Sequence, residues 1–332
     1  MAKNNIDKFN MKEVIATSPK QLIDGLELAK NIKIIKEFKN VVICGVGGSA
    51  LPANILDSVV ITKIPLYVHR DYNLPSIANK DSLIICISYS GNTEETISAL
   101  EEAIHKNITV VSITTGGKIE KMCEKHNIAL IKIPSGIQPR SATGYLFSTL
   151  STVLNNCKII DDISDDILNT AKELEKRNLD LEKEGKMLAK KMAKKIPVVY
   201  ASNSFKTAAR IWKIKFNENS KIPAFYNYFP ELNHNEMVGF TDKKNISGFY
   251  VLIIRDKQDH SRTLKRMELM SSILKKKSVK NSFIETIDGS MMLKFFEILL
   301  LGDWTSYYIA INNKIDPTPV EMVEEFKKLL AK

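Results

Sequence analysis

The chain of 332 residues lacks the features that mark membrane and secreted proteins. It has no apolar run near the ~18 residues that a membrane span requires, and its amino terminus has no signal-like pattern. Its four cysteines are widely spaced, and Cys44 and Cys86 lie within apolar runs, which indicates small buried side chains rather than disulfides or zinc ligands. These absences predict a cytoplasmic protein.

The five histidines show no metal-binding pattern. His105 and His126 fall on predicted amphipathic helices, and no pair of histidines has metal-ligand spacing beside cysteines or carboxylates. We therefore expect no metal ion.

A net charge of +10 raises the question of nucleic-acid binding. The lysines, however, are spread over predicted helix faces among glutamates, and no helix-turn-helix, zinc knuckle or aromatic-interleaved basic patch accompanies them. We interpret the excess charge as a solvated surface that attracts small anions, and we expect no nucleic-acid or membrane partner.

Short apolar runs alternate with helix-period segments along most of the chain. Such runs are typical of parallel strands that are covered on both faces. The pattern predicts an α/β protein with two tandem, doubly wound parallel-sheet domains of the flavodoxin-like, three-layer α/β/α type, at residues 1–158 and 159–332. The charged helical stretch 161–195 bridges into the second domain. The predicted strands are 41–44, 65–68, 83–87, 108–113, 129–133, 198–201, 224–228, 249–254 and 282–287.

A serine-rich stretch follows the third apolar run. Ser88, Ser90 and Thr93 supply hydroxyls, Gly91 lets the backbone approach a ligand, and a helix-like pattern begins directly afterwards. Hydroxyls and the free N–H groups at a helix start are well suited to a phosphate dianion. The stretch therefore predicts a phosphate-binding loop, and a plain turn that caps the next helix is the alternative.

A glycine-rich loop, G-V-G-G-S-A at residues 45–50, follows the first apolar run. In a doubly wound sheet it lies at the same carboxyl edge as the serine-rich loop, so the two loops can hold one small phosphate together. The loop also fits the G-x-G-x-x-A dinucleotide fingerprint, with Asp71 as the ribose-binding acid. A nicotinamide site therefore stays an alternative, although binding of a nicotinamide cofactor would not need the serine-rich loop.

Three further residues suit acid–base chemistry at a charged site. Glu218 ends a predicted helix and His234 lies in a nearby loop, so that they form a reasonable pair of general base and acid. Arg140 precedes a helix, where its guanidinium would face the same edge as the anion loops. Structural roles stay open: a solvated helix-end acid for Glu218, a capped turn for His234 and a solvent-exposed side chain for Arg140.

In combination, these motifs resemble those of the bifunctional phosphoglucose/phosphomannose isomerases of the sugar isomerase superfamily. The resemblance covers most of the chain and implies an aldose–ketose isomerase of glucose 6-phosphate, mannose 6-phosphate and fructose 6-phosphate. The segments that carry it, in the order of the family, are 45–50, 88–96, 139–140, 217–221 (N-E-N-S-K), 231–236 (E-L-N-H-N-E) and 316–319 (D-P-T-P).

The resemblance also implies roles for individual residues. Glu218 would move a proton between C1 and C2, His234 would assist opening of the sugar ring, and Arg140 would face the enediolate. The family places a lysine of the terminal helix in its active site, and Lys327 and Lys328 both fit that position. The residues that would hold the substrate and its 6-phosphate are Gly48, Ser49, Ser88, Ser90 and Thr93.

This chemistry needs a ring opener, a carboxylate base and a cation beside the oxyanion, but no metal and no redox cofactor. The family further implies a homodimer with the active site near the subunit interface, acting in glycolysis and gluconeogenesis. Two alternatives stay open: a non-catalytic sugar-phosphate sensor, since isolated sugar isomerase domains also serve as binding modules, and the nicotinamide-dependent enzyme.

Overall fold

The computed structural model describes residues 6–242 and 246–330. By its internal contacts the chain divides into two compact units. The first unit is Thr17–Glu175, and the second comprises residues 6–16 together with the described residues from 176 onward. The domain boundary expected after residue 158 stays a prediction. No helix among the described residues combines the length and the apolar character that crossing a bilayer requires.

A five-stranded parallel sheet forms the centre of the first unit. Its strands lie in the order β2-β1-β3-β4-β5. Every residue of β1 and β3 is buried, because both faces of the sheet are covered, as the unalternating apolar runs predicted. The bounds are β1 Asn40–Cys44, β2 Leu66–His69, β3 Ser82–Ser88, β4 Thr109–Thr114 and β5 Ala129–Lys132.

Helices cover this sheet. Apolar residues of α4 and α5 pack with Val42, Cys44, Ile84 and Cys86 on one face. The sequence did not predict the helix α2. This helix packs closely on α6, since a Cβ added at Gly25 would lie 2.8 Å from the carbonyl oxygen of Tyr145. The bounds are α1 Met11–Ala16, which belongs to the second unit, α2 Ser18–Leu28, α3 Leu51–Val59, α4 Glu94–His105, α5 Gly117–His126 and α6 Thr143–Asn156.

The second unit contains a four-stranded parallel sheet in the order β7-β6-β8-β9. The last strand begins earlier than the predicted 282–287, because Lys280 and Asn281 pair through their backbone with Tyr250 and Val251 of β8 although their side chains are polar. The bounds are β6 Ile196–Ser202, β7 Phe225–Phe229, β8 Phe249–Arg255, β9 Lys280–Glu285, α8 Lys206–Glu218, α9 Ser261–Lys276, α10 Met291–Asn312 and α11 Glu321–Leu330. The helix before them, α7 Ser164–Lys191, begins in the first unit and ends in the second.

A buried ion pair joins α10 to the loop after β8. The side chains of Lys294 and Asp256 are 1% and 2% exposed, and the Lys294 Nζ lies 2.7 Å from the Asp256 Oδ2. Gln258 completes the group, since its side-chain oxygen accepts from Lys294 at 2.8 Å and its backbone N–H donates to Asp256 at 2.8 Å. Each charge therefore has its partner and additional hydrogen bonds, which a buried charge requires.

We expect Asp256→Ala to destabilise the second unit by about 3–5 kcal/mol, because it leaves the Lys294 ammonium buried without its counter-ion. Urea unfolding followed by tryptophan fluorescence measures this, since Trp212 and Trp304, the two tryptophans of the chain, both lie in the second unit. The control is Asp180→Ala, which breaks an exposed ion pair with Lys183 and should change stability little. Equal effects of the two substitutions would contradict the expectation.

Candidate functional site

The glycine-rich loop after β1 packs against the segment before α6. The loop enters a short 3-10 helix, Gly47–Ala50, and a Cβ added at Gly48 would lie 2.7 Å from the backbone nitrogen of Arg140. Arg140 is 1% exposed and donates to the Gln138 Oε1 at 3.3 Å. The alternative of a solvent-exposed arginine is therefore wrong, because the close contact at Gly48 draws this segment into the carboxyl edge of the sheet.

The serine-rich loop connects β3 to α4. Ser88 is fully buried, its hydroxyl lies 2.9 Å from the Thr93 hydroxyl, and it accepts from the Gly91 N–H at 3.1 Å. Ser90 is exposed. Thr93 occupies the N-cap position of α4, but its side chain does not cap the helix. The first-turn N–H groups of α4 therefore have no side-chain cap, which is the arrangement that suits an anionic ligand.

Tyr89 connects four loops at this edge of the sheet. Its backbone N–H donates to the Ser49 hydroxyl at 3.0 Å, and its carbonyl accepts from the Thr115 hydroxyl at 2.7 Å. Its phenol donates to the Pro134 carbonyl at 3.0 Å and accepts from the Ile137 N–H at 3.3 Å. Burial raises the pKa of Tyr89, so the phenol stays protonated and can donate.

Close backbone contacts also join the loops after β3 and β4. Gly91 has φ +69°, and a Cβ added there would lie 1.7 Å from the Gly116 carbonyl oxygen. Gly117 has φ +78°, and its added Cβ would lie 2.6 Å from the Ser90 carbonyl oxygen. Tyr89, Gly116 and Gly117 were not among the predicted site residues, although an aromatic residue within a serine loop and a Gly-Gly pair after a strand were visible signals.

In the second unit, Glu218 is the last residue of α8 and is half-buried. The residues that follow it are anchored to α10. Asn219 donates to the Ser306 hydroxyl at 3.0 Å, and the Ser220 hydroxyl donates to the Ser306 carbonyl at 2.7 Å, in contacts that are buried. These hydrogen bonds fix the backbone directly after Glu218 and hence the direction in which its side chain leaves the helix.

The N-E-N-S-K and D-P-T-P segments meet in space. Lys221 donates to the carbonyl oxygens of Glu218 and Pro317, the latter at 3.1 Å. The D-P-T-P turn is itself held by the Thr318 N–H, which donates to the Asp316 side chain at 3.0 Å. The lysine thus ties the end of α8 to a turn that is distant in sequence.

His234 ends a short 3-10 helix, Glu231–His234, in the segment that follows β7. Its side chain is exposed, whereas Leu232 two residues earlier is fully buried. Lys327 lies on α11, where it is exposed and forms an ion pair with Glu324 at 2.8 Å, and Lys328 beside it is also exposed. Glu218, His234 and Lys327 therefore stand on three different elements of the second unit.

The structure brings the loops of the first unit together in the way that an anion site requires. The loops that carry Gly48, Ser49, Ser88 and Thr93 and the segment that carries Arg140 all meet at one edge of the first sheet. Within residues 6–242 and 246–330, no group of three or more histidine, cysteine, aspartate or glutamate side chains is arranged to hold a metal ion.

Both units match known sugar isomerase families. Residues 34–152 match the SIS domain family, and residues 181–330 match the family described as the bacterial phospho-glucose isomerase C-terminal SIS domain. The two sheets with their covering helices agree with this assignment and with the predicted fold class.

Proteins with similar sequences cover nearly the whole chain. A bifunctional phosphoglucose/phosphomannose isomerase of Caldicellulosiruptor bescii is 38% identical over 97% of this chain and 99% of its own length. A protein of the same name from Aquifex aeolicus is 34% identical over 90% and 93%. A solved structure of a hypothetical protein from Thermus thermophilus has the same fold, with a TM-score of 0.73, 12% identity and coverage of 99% and 91%.

We expect Gly91→Ala to disturb the loops after β3 and β4, because the new methyl group would overlap the Gly116 carbonyl. It should destabilise the first unit by about 1–3 kcal/mol and weaken the binding of inorganic phosphate, as measured by thermal unfolding and titration calorimetry. The control is Gly136→Ala, where φ is +97° but nothing lies within 4 Å. If Gly91→Ala and Gly136→Ala weakened phosphate binding equally, the close contact between Gly91 and Gly116 would not be the cause.

Proposed function

Because this chain belongs to the bifunctional phosphoglucose/phosphomannose isomerase family, we propose that it interconverts glucose 6-phosphate and mannose 6-phosphate with fructose 6-phosphate. The observation that carries the proposal is a 38% identical relative that spans 97% of this chain and 99% of its own length. The relatives reported above carry isomerase names over the length of both units, so neither the sensor nor the nicotinamide-dependent enzyme is favoured.

We assign binding of the 6-phosphate to the edge of the first sheet. The uncapped start of α4 supplies backbone N–H groups, and the hydroxyls of Ser88, Ser90 and Thr93 add donors around it. Gly48 and Ser49 contribute from the neighbouring loop, which the Ser49–Tyr89 hydrogen bond joins to the serine-rich loop. Such an arrangement binds a dianion without a lysine, because the donors and the helix dipole both favour negative charge.

The reaction itself is a proton transfer between neighbouring carbons. We assign ring opening to His234 as a general acid–base, after which the Glu218 carboxylate removes the C2 proton of the aldose. This leaves the cis-enediol intermediate as its enediolate anion, which is planar at C2 and in which a proton passes from the 2-hydroxyl to O1. The carboxylic acid then returns its proton to C1 to form the ketose, so that no atom is gained or lost. Arg140 stabilises the developing negative charge on the oxygens. Lys327 or Lys328 provides the further cation that the family resemblance implies.

The planar intermediate explains why one base can serve two substrates. Glucose 6-phosphate and mannose 6-phosphate differ in configuration at C2, and this difference disappears in the enediol. The proposed steps use no redox cofactor and no metal ion. The family resemblance further supports a cytoplasmic homodimer, with the active site near the subunit interface, that acts in glycolysis and gluconeogenesis.

The direct test is to incubate the purified protein with fructose 6-phosphate and to resolve the products by NMR. We expect both aldose phosphates to form without any added nucleotide. A sugar-phosphate sensor would form no product, and a dehydrogenase would require an added nicotinamide cofactor, so either result would overturn the proposal.

The phosphate assignment predicts an effect on substrate affinity. Ser90→Ala or Thr93→Ala removes a hydrogen bond to a charged group, which contributes about 1.5–3 kcal/mol, so KM for fructose 6-phosphate should rise by about 10–100-fold with a smaller change in kcat. Ser98→Ala is the control, since Ser98 lies later in α4 and bonds to Asn73. Unchanged KM in both test variants would remove these hydroxyls from the phosphate site.

The mechanism predicts that Glu218→Gln lowers kcat by about 10²–10⁴, because glutamine keeps the size of the side chain but cannot take a proton. KM should change little, and the glucose and mannose activities should fall together. Glu285→Gln, which alters an exposed partner of Arg255 in the same unit, is the control. Near-normal turnover, or loss of one activity alone, would point to Glu231 or Glu236 as the base instead.

A further inference from the structure

The carboxylate of Glu236 is held by side chains from two neighbouring strands. Tyr200 on β6 is fully buried and donates its hydroxyl to the Glu236 Oε1 at 2.7 Å. Asn227 on β7 donates its amide to the other oxygen, Oε2. Burial, and then the hydrogen bond to Glu236, raise the pKa of Tyr200 far above its usual value, so its phenol stays protonated and can donate.

The segment that carries His234 is fixed on both sides. Leu232 is fully buried in a core cluster that also contains Tyr200. On the other side, the Asn235 side chain accepts from the Glu236 N–H at 2.6 Å and donates to the Glu231 Oε1 at 2.7 Å. The exposed His234 therefore lies between a buried leucine and a carboxylate that two strands hold in place.

We propose that Glu236 is a positioning residue, whose carboxylate anchors the segment 231–236 to the sheet and thereby sets the place of the His234 imidazole. This inference rests on the proposed function, in which His234 acts on the sugar ring. Glu236 is the final residue of the L-N-H-N-E motif, and the acid–base steps proposed above give it no role. Both oxygens of Glu236 already accept a hydrogen bond from a partly or fully buried donor, which suits an anchor better than a proton carrier.

An anchor and a base respond differently to a glutamine. In Glu236→Gln the side-chain oxygen can still accept from Asn227, and the new amide can donate to the Tyr200 hydroxyl, which is able to accept. Alanine makes neither bond. We therefore expect Glu236→Ala to lower kcat for fructose 6-phosphate by about 10–100-fold, the usual effect of losing a residue that orients a reacting group. Glu236→Gln should stay within about fivefold of the wild-type kcat, because most of the network survives.

A double-mutant cycle separates positioning from general damage to the fold. If Glu236 acts through His234, then adding Glu236→Ala to His234→Ala should change kcat by less than about twofold, since there is no imidazole left to position. Tyr200→Phe should lower kcat in the same direction as Glu236→Ala, and the two effects should not add. The same 10–100-fold loss from Glu236→Ala with and without His234 would overturn the proposal.

The matched control is a second tyrosine–glutamate pair in the same unit. Glu182 accepts from the Tyr308 hydroxyl and from Lys12 at 2.9 Å, away from the segment 231–236. Glu182→Ala should keep wild-type kcat, while circular dichroism and thermal unfolding show whether each variant is folded. A wild-type protein that does not turn over fructose 6-phosphate would overturn the proposed function and this inference together. An active wild type in which Glu236→Gln is as impaired as Glu218→Gln would overturn this inference alone.

Discussion

Two glycines bring the loops at the carboxyl edge of the first sheet into direct contact, and the polar groups of that edge depend on those contacts. At Gly48 and Gly91 there is no room for a Cβ, because the backbones of Arg140 and Gly116 lie where it would stand. Tyr89 then adds hydrogen bonds from one residue to the loops after β1, β4 and β5. Rigid loops hold hydrogen-bond donors in place before a charged ligand binds. Less conformational entropy is then lost on binding.

The second unit fixes the side chains that we propose as functional by a different means. Here hydrogen bonds from buried polar side chains replace close glycine contacts, as in the two bonds to Ser306 after Glu218 and the two donors to Glu236. The difference suits the chemistry that we propose. A phosphate can be held by many backbone groups at once, whereas proton transfer needs one side chain with a defined direction, and a direction is set by the residues that flank it.

Local sequence pattern predicted most of the strands but not the contacts between the elements. The strands of both sheets lie close to the predicted apolar runs, although β9 begins two residues earlier than predicted, at Lys280. The role of Tyr89 and the anchoring of Ser220 by Ser306 depend on residues that are 45 and 86 positions away, so no local periodicity could reveal them. The parts that Glu218 and His234 play in catalysis stay predictions, since geometry alone does not identify a proton carrier.

The two units also show why similar topology need not mean similar binding. β3 and β8 hold equivalent places, since each pairs with the first strand of its sheet on the side opposite the second strand, in the orders β2-β1-β3 and β7-β6-β8. After β3 the chain offers hydroxyls and the uncapped start of α4, whereas after β8 it places the buried carboxylate of Asp256. That carboxylate already receives the Lys294 ammonium and the Gln258 N–H. These donors are therefore engaged within the protein, at the place where the serine-rich loop of the first unit carries hydroxyls. The equivalent positions of the two sheets thus differ in chemistry: the second unit has an internal ion pair there, and the first has hydroxyls and the start of a helix.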